Sequence, residues 1–238
     1  MVKNFVAILG MSFLAFYSCI NSPHVDSKAA DSVVVHQMTL AEWNEESKEN
    51  IRCLPKYGHA EKSAGQLEAD SKFIRGMLTR FSNKRLASAD LIKVGFDYVY
   101  RDVKTAMYRF NQAYLLDSTN SDIYWGFGGV YMVLGDYPRA RAQYEEGLLL
   151  DPVNSHILTD FGTYFMAQGK TDSAILYFNR SYQIDSSEQN NLFKIAVAYY
   201  YKNDCRNAVY FYEKCKSLGG QQMSNEFIDS LRQKCKIK

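Results

Sequence analysis

Few residues in this sequence have the types and the spacing that catalysis or metal binding requires. The four histidines are His24, His36, His59 and His156. None lies four residues from another, the separation that places two imidazoles on one face of a helix as metal ligands. The neighbouring acids Glu145 and Glu146 would need a cleft to act as a catalytic pair, and without one they form a solvated surface. We therefore expect neither an enzyme nor a bound metal or cofactor.

The N-terminal residues contain a different chemical signal, which ends at Cys19. After the positive charge of Lys3, residues 5–16 form a run of apolar or small residues. This run is shorter than the roughly 20 residues that a membrane span needs, and it has the length of the core of a secretory signal peptide. Residues 16–19, Phe-Tyr-Ser-Cys, resemble a lipobox, in which a small residue precedes a cysteine that becomes lipidated.

This resemblance implies a bacterial lipoprotein with a signal peptide over residues 1–18 and a lipid on Cys19. The mature chain would be lipid-anchored in the cell envelope. Because Ile20 rather than Asp follows the cysteine, retention in the inner membrane is not indicated, and we expect the outer membrane. Phe16 stands where Leu is usual, and Tyr17 is bulkier than usual. The alternatives are an ordinary cleaved signal, although no Ala-x-Ala site follows, and a retained signal anchor.

The composition favours a globular protein that does not bind nucleic acid. Hydrophobic residues make up 47% of the 238-residue chain, an ordinary fraction for a folded domain. Lysines and arginines number 28 against 26 acidic residues, which gives a net charge of +2. Since domains that bind nucleic acids normally carry a clustered basic surface, we expect proteins rather than nucleic acids as partners.

Residues 19–62 are expected to form a tether followed by an irregular segment. Residues 20–32 are rich in Ser, Asn, Asp and Ala, a composition typical of a flexible linker. Residues 51–61 have no helical or strand period, so we expect them to be ordered only by packing on another part of the chain. Ser63 and Gln66 then match a capping box, which predicts a leading helix over residues 63–84.

From residue 88 to residue 218 the sequence repeats with a period of 34 residues. A small residue, an aromatic residue, a second small residue and an aliphatic residue recur in register. The four sets are Ala106, Phe110, Ala113 and Leu116; Ala140, Tyr144, Gly147 and Leu150; Ala174, Phe178, Ser181 and Ile184; and Ala208, Tyr212, Cys215 and Leu218. In a helix pair, the small residues permit close helix contacts, the ring fills the space between the helices, and the aliphatic residue closes the end.

This period and these residue types resemble the tetratricopeptide repeat, in which pairs of antiparallel helices stack into a solenoid. The resemblance implies an all-α fold: an α-solenoid of four helix pairs with one preceding helix and a capping helix over residues 224–236. Left-handed turn residues are expected at Gly135, Gly169 and Asn203. In the first repeat, the first helix fits the pattern only after a shift of one residue. The glycine-rich residues 126–129 fall within a helix, which favours helix contact over phosphate binding.

Cys205 and Cys235 become neighbours if the capping helix runs antiparallel to the helix before it. Folding the chain at residues 219–222 places these two positions level with each other. Their Cα atoms would then lie near the roughly 7 Å limit for a disulfide. Two unpaired thiols remain the alternative, because the register does not determine how the helices are rotated. Cys205 and Cys215 cannot pair, since about 15 Å of helical rise separates them.

The first helices of a tetratricopeptide array line its concave face, where the resemblance places a groove for partner proteins. The inward positions are Ile92, Phe96, Val99, Trp125, Met132, Thr159, Thr163, Met166, Phe193, Val197 and Tyr200. They are mostly apolar, and exposed apolar patches usually mark interaction sites. We expect Trp125 and Phe193 to act as aromatic anchors. The alternative is that the chain's own residues 51–81 fill this groove.

Together these features predict a membrane-anchored scaffold that binds segments of other proteins in the cell envelope. The Lys and Asn side chains with which some tetratricopeptide domains hold the C-terminal carboxylate of a chaperone are missing from the inward positions. A chaperone partner is therefore not expected. A regulatory subunit of a cell-wall hydrolase or synthase is the alternative function.

Overall fold

The computed structural model describes residues 38–219 and 224–237, and the regular structure in these ranges is helical. Cys19 and the proposed signal peptide lie outside the described residues. The helices are α1 (Leu40–Glu49), α2 (Ala64–Leu78), α3 (Lys84–Tyr98), α4 (Val103–Leu116), α5 (Asp122–Leu134), α6 (Tyr137–Leu150), α7 (Ser155–Ala167), α8 (Thr171–Ile184), α9 (Gln189–Tyr201), α10 (Cys205–Ser217) and α11 (Asn225–Cys235). Two short 3-10 helices, Ile51–Cys53 and Pro55–His59, connect α1 to α2. None of these helices is both long and apolar enough to cross a membrane.

The helices divide into two compact units between residues 184 and 185. The first unit contains α1, α2 and three helix pairs that follow the 34-residue period, namely α3 with α4, α5 with α6, and α7 with α8. The second unit contains the fourth pair, α9 with α10, and the C-terminal helix α11. The predicted α-solenoid of four helix pairs, with a preceding and a C-terminal helix, is therefore confirmed.

The boundary between the leading helix and the first repeat differs from the prediction. The Ser63–Gln66 capping box starts α2 as expected, but α2 ends at Leu78 rather than at residue 84. Asn83 accepts a hydrogen bond from the backbone N–H of Leu86 at 2.9 Å and so starts α3 at residue 84, earlier than the predicted residue 88. A side-chain cap thus sets the start of α3, which the repeat register had placed four residues later.

The small and aromatic residues of the period pack the helix pairs as predicted. All four repeat alanines, Ala106, Ala140, Ala174 and Ala208, are completely buried. The ring of Phe110 is also buried and lies against Gly95 of α3 and Gly126 of α5. A β-carbon at either glycine would collide with this ring. The glycine-rich residues 126–129 therefore serve helix contact.

The turns within the later repeats also follow the prediction. Gly135, Gly169 and Asn203 adopt left-handed conformations with φ angles of 73°, 69° and 64°. The first repeat differs, because residues 99–102 join its helices. Asp102 caps α4 by accepting a hydrogen bond from the N–H of Thr105 at 3.0 Å.

The aliphatic position closes the helix pair only in the first repeat. Leu116 is buried, whereas Leu150, Ile184 and Leu218 are 49%, 45% and 41% exposed. The expectation that each of them seals its pair is therefore wrong. The aromatic and small residues earlier in each second helix already fill the space between the helices, so the last turn can face solvent.

Helix α1 was not expected, since residues 19–62 were predicted to form a tether and an irregular segment. Thr39 and Glu42 form a capping box that starts α1. Trp43 is completely buried, and its ring centroid lies 6.5 Å from that of Tyr131. It is also the only buried residue of the helix. Leu40 also packs against the core, but these two apolar residues lie in the first turn, so α1 has no longer apolar stripe that periodicity could detect.

The two 3-10 helices after α1 pack on second helices of the repeats. This agrees with the prediction that residues 51–61 are ordered only by packing on another part of the chain. The side chain of Asn111 on α4 is buried and donates hydrogen bonds to the carbonyl oxygens of Arg52 and Leu54, both at 2.9 Å. Its Oδ1 accepts a hydrogen bond from the N–H of Tyr57 at 3.3 Å. Asn111 therefore attaches the backbone of both 3-10 helices to α4.

Candidate functional site on the first helices

The residues predicted to line the groove of the first unit fall into two classes. Phe96, Trp125, Met132, Thr163 and Met166 are half-buried and keep an accessible surface. Ile92, Val99 and Thr159 are only 6%, 1% and 4% exposed.

These three buried residues correct the predicted groove lining, because they have almost no surface to offer a partner. Ile92 and Val99 belong to the hydrophobic core of the unit. The hydroxyl of Thr159 lies 2.8 Å from that of Ser181 on α8, so it faces a second helix. Counting positions along a helix identifies its inward stripe but does not show where the next helix covers that stripe.

Three rings from successive first helices form a contiguous surface, which we call the aromatic stack: Phe96 of α3, Trp125 of α5 and His156 of α7. The centroids of Phe96 and Trp125 are 3.8 Å apart, with the ring planes tilted by 38°. The centroids of Trp125 and His156 are 4.4 Å apart, and these rings are nearly parallel at 16°. The aromatic stack therefore joins the three repeats of the first unit with flat side chains of low conformational entropy.

Hydrogen bonds fix the central ring of the aromatic stack. The indole Nε1 of Trp125 donates to Oδ2 of Asp160 at 2.6 Å. Asp160 is 5% exposed, so a rigid part of α7 sets the orientation of the ring. A ring held in this way does not need to be ordered when a partner binds, which lowers the entropic cost of association.

A second polar group joins α5 to α7 beside the aromatic stack. The carboxylate of Asp122 lies 3.4 Å from Nδ1 of His156 and accepts a hydrogen bond from Nδ2 of Asn154 at 2.7 Å. Burial by itself raises the pKa of Asp122, but the hydrogen bonds from His156 and Asn154 outweigh it and hold this pKa below its ordinary value. Asp122 is therefore ionised at neutral pH, where it holds the His156 ring in position.

Phe96 and Trp125 are among the predicted groove residues, whereas His156, Asp160 and Asp122 are not. His156 and Asp160 lie on the same face of α7 as Thr163, since residues three or four apart share a helical face. The helical spacing that identified Thr163 as an inward position therefore also identifies His156 and Asp160, once polar residue types are included.

The alternative occupant of the groove, residues 51–81, packs elsewhere over its 3-10 helices. The hydrogen bonds of residues 52–57 reach α4 through Asn111, and Nζ of Lys56 pairs with Glu146 of α6 at 2.5 Å. Both α4 and α6 are second helices. The 3-10 helices therefore do not cover the face that bears the aromatic stack.

In the second unit, the chain itself contacts the predicted groove residues. The ring of Phe227 on α11 lies 5.3 Å from the ring of Phe193 and 5.6 Å from that of Tyr200, both in edge-to-face geometry. The third predicted residue, Val197, is 4% exposed. The expectation that these α9 residues form an open groove is therefore wrong. The apolar face of α11 needs burial, and α9 supplies the surface.

The structure joins Cys205 at the start of α10 to Cys235 at the end of α11 by a disulfide, with Cα atoms 5.3 Å apart. Both cysteines are half-buried, whereas the free thiols of Cys53 and Cys215 are buried. Ser224 accepts a hydrogen bond from the N–H of Phe227 at 3.2 Å and starts α11, as predicted. The disulfide thus attaches the far end of α11 to the fourth repeat.

The aromatic stack offers flat rings and hydrogen-bonding groups on the surface of the first unit. Within residues 38–219 and 224–237, no group of three or more His, Cys, Asp or Glu side chains could hold a metal ion. The arrangement of Phe96, Trp125 and His156 is suited to packing against the side chains of another polypeptide.

No protein-family model matches this sequence, and no curated protein matches it. Among solved structures, the chain is similar to PilF of Pseudomonas aeruginosa, with a TM-score of 0.53 and 17% identity, over 64% of this chain and 67% of that one. It is also similar to a chain of the Cut9–Hcn1 hetero-tetramer of the APC/C, with a TM-score of 0.54 and 17% identity, over 83% of this chain and 39% of that one. At such low identity the similarity concerns the fold alone.

Proposed function

Because this chain is folded as an array of tetratricopeptide repeats, we propose that it is a scaffold that binds a segment of another protein on the first-helix face of its first unit. The aromatic stack is the observation that supports this proposal. Its rings are partly accessible, they extend across three helices, and Asp160 fixes the central one. Rigid aromatic side chains of this kind often dominate the affinity of an interface.

The proposal includes anchoring of the scaffold to the membrane of a bacterial cell envelope. The support for this part comes from the sequence of residues 1–20, with its positive start, its apolar run and the lipobox-like residues before Cys19. A lipid on Cys19 would confine the scaffold to the membrane surface and raise the local concentration of partners there. The outer membrane is the proposed location, since Ile20 follows the cysteine.

Site-specific photo-crosslinking in the native envelope tests the proposed binding face. A photoreactive phenylalanine analogue is placed at Thr163, close to the aromatic stack, and at Leu176 as the matched control. Leu176 is 58% exposed and lies on the second helix α8. We expect a discrete crosslinked partner from position 163 and none from position 176. Identical crosslinks from both positions would contradict the assignment of the binding face.

The same experiment measures the contribution of the central ring. We expect Trp125→Ala to weaken partner binding by roughly 30-fold, the loss of about 2 kcal/mol that defines a binding hot spot. Trp125→Phe keeps a ring but loses the hydrogen bond to Asp160, and it should have a smaller effect. Mass spectrometry of the crosslinked product identifies the partner, and a cell-wall hydrolase or synthase would favour the regulatory alternative.

A further inference from the structure

Helix α11 packs on the side of α9 that bears the predicted groove residues Phe193 and Tyr200. It lies there in the way that a helical ligand lies in a groove. Phe227 contacts the rings of Phe193 and Tyr200. Leu231 is completely buried. The ammonium group of Lys234 donates a hydrogen bond to the carbonyl oxygen of Tyr200 at 2.8 Å and lies 4.1 Å from the centre of its ring.

These three contact residues of α11 share one side of the helix. Phe227, Leu231 and Lys234 follow the i, i+4, i+7 spacing by which an amphipathic helix binds a hydrophobic groove. The other residues of α11 are exposed or half-buried, and Leu231 is its only buried residue. The face of α9 is therefore a surface that accepts an aromatic residue, an aliphatic residue one turn later and a cation after a second turn.

The disulfide restrains α11 in addition to its packing contacts. The helix has 11 residues, and isolated helices shorter than about 12–15 residues are marginal in water. The bond between Cys205 and Cys235 restrains the end of α11 that is remote from its chain connection. Both cysteines are half-buried rather than enclosed in the core, so a reductant can approach this disulfide.

We propose that α11 is a displaceable cover and that reduction of the Cys205–Cys235 disulfide lets an amphipathic helix of a partner protein occupy the face of α9. The partner helix carries an aromatic residue, an aliphatic residue at i+4 and Lys or Arg at i+7. A dithiol protein supplies the two electrons and two protons. One of its thiolates attacks a sulfur of the disulfide, its second thiol resolves the mixed disulfide, and Cys205 and Cys235 leave as thiols.

This surface lies in the second unit and goes beyond the binding face proposed for the first unit. A peptide with the sequence of residues 224–234 serves as the probe, because it carries the three contact residues and ends before Cys235. Fluorescence anisotropy measures its binding to the full chain before and after reduction with dithiothreitol. The matched control peptide carries Phe227→Ala.

We expect the reduced chain to bind the probe at least tenfold more tightly than the oxidised chain. The control peptide should not bind, and Phe193→Ala in the reduced chain should abolish binding of the probe. Cys235→Ser should give the reduced behaviour with or without dithiothreitol. Backbone amides of residues 225–235 should exchange hydrogen faster after reduction.

The proposal is overturned by equal affinity of the oxidised and reduced chains for the probe. It is also overturned if reduction leaves hydrogen exchange in α11 unchanged, or speeds it up without allowing the probe to bind. If Cys235→Ser does not fold, Phe227→Ala in the reduced full chain replaces it. That chain should bind the probe more tightly than the reduced wild type, because its own helix competes less well.

Discussion

Asn111 connects the N-terminal segment to the repeats through one side chain. The residue is completely buried on α4, and its amide makes hydrogen bonds with the backbone of Arg52, Leu54 and Tyr57. Buried backbone groups without partners are costly. These bonds add to the backbone hydrogen bonds of the 3-10 helices, such as that from the N–H of Tyr57 to the carbonyl of Leu54, and attach the segment to α4.

We expect Asn111→Leu to destabilise the protein by roughly 1–3 kcal/mol while the side chain keeps a similar size. The carbonyl of Arg52 loses its hydrogen bond from Asn111, and the carbonyl of Leu54 and the N–H of Tyr57 keep only the bond that they make with each other. Chemical denaturation measures the free energy of unfolding, and hydrogen exchange reports on residues 51–59. Asn225→Ala, at an exposed position, is the control and should change the free energy of unfolding by less than about 0.5 kcal/mol. Unchanged exchange of residues 51–59 in Asn111→Leu would contradict this role.

At the scale of helices, each of the three pairs in the first unit is held by a ring that packs against glycine. Gly162 of α7 illustrates this, since a β-carbon there would lie 2.5 Å from Cδ1 of Phe178 on α8. Phe178 is 1% exposed and its ring is enclosed by the pair, so it cannot move away without opening a gap. The repeat thus depends on a small residue at one position and an aromatic residue at another.

We expect Gly162→Ala to destabilise the protein by roughly 1–3 kcal/mol through overpacking. Gly76→Ala is the control, and it should stabilise the protein. No atom lies within 4 Å of the position that its β-carbon would occupy in α2, and alanine favours the helix by about 0.8–1 kcal/mol over glycine. Thermal unfolding of the two variants therefore separates close packing from helix propensity. A Gly162→Ala variant as stable as the wild type would show that Phe178 is not confined.

At the scale of the whole molecule, the scaffold proposal requires that the repeats are tethered to a membrane by the N-terminal sequence. We expect Cys19→Ala to abolish lipid labelling and to release the protein from the membrane fraction. Metabolic labelling with a fatty-acid analogue and fractionation measure both effects, with Cys53→Ala as the cysteine control. Full membrane association of Cys19→Ala would instead indicate a retained signal anchor.

The sequence by itself determined the repeat architecture, because the contacts within a helix pair are short-range and recur every 34 residues. The buried repeat alanines, the left-handed turns at Gly135 and Gly169, and the caps at Ser63 and Ser224 all follow from local residue types. The antiparallel register of α10 and α11 also predicted that Cys205 and Cys235 lie at the same height along the two helices. It left open whether they form a disulfide, since the register does not determine how each helix is rotated about its axis.

The tertiary structure decided which parts of the first-helix face are accessible. Thr159 points at Ser181, Phe193 is contacted by Phe227, and Trp43 is buried against Tyr131. Each outcome depends on a residue remote in the sequence and on the angle at which one helix meets the next. Periodicity identifies the face of a helix that turns inward, but only the positions of neighbouring helices determine how much of that face remains in contact with solvent.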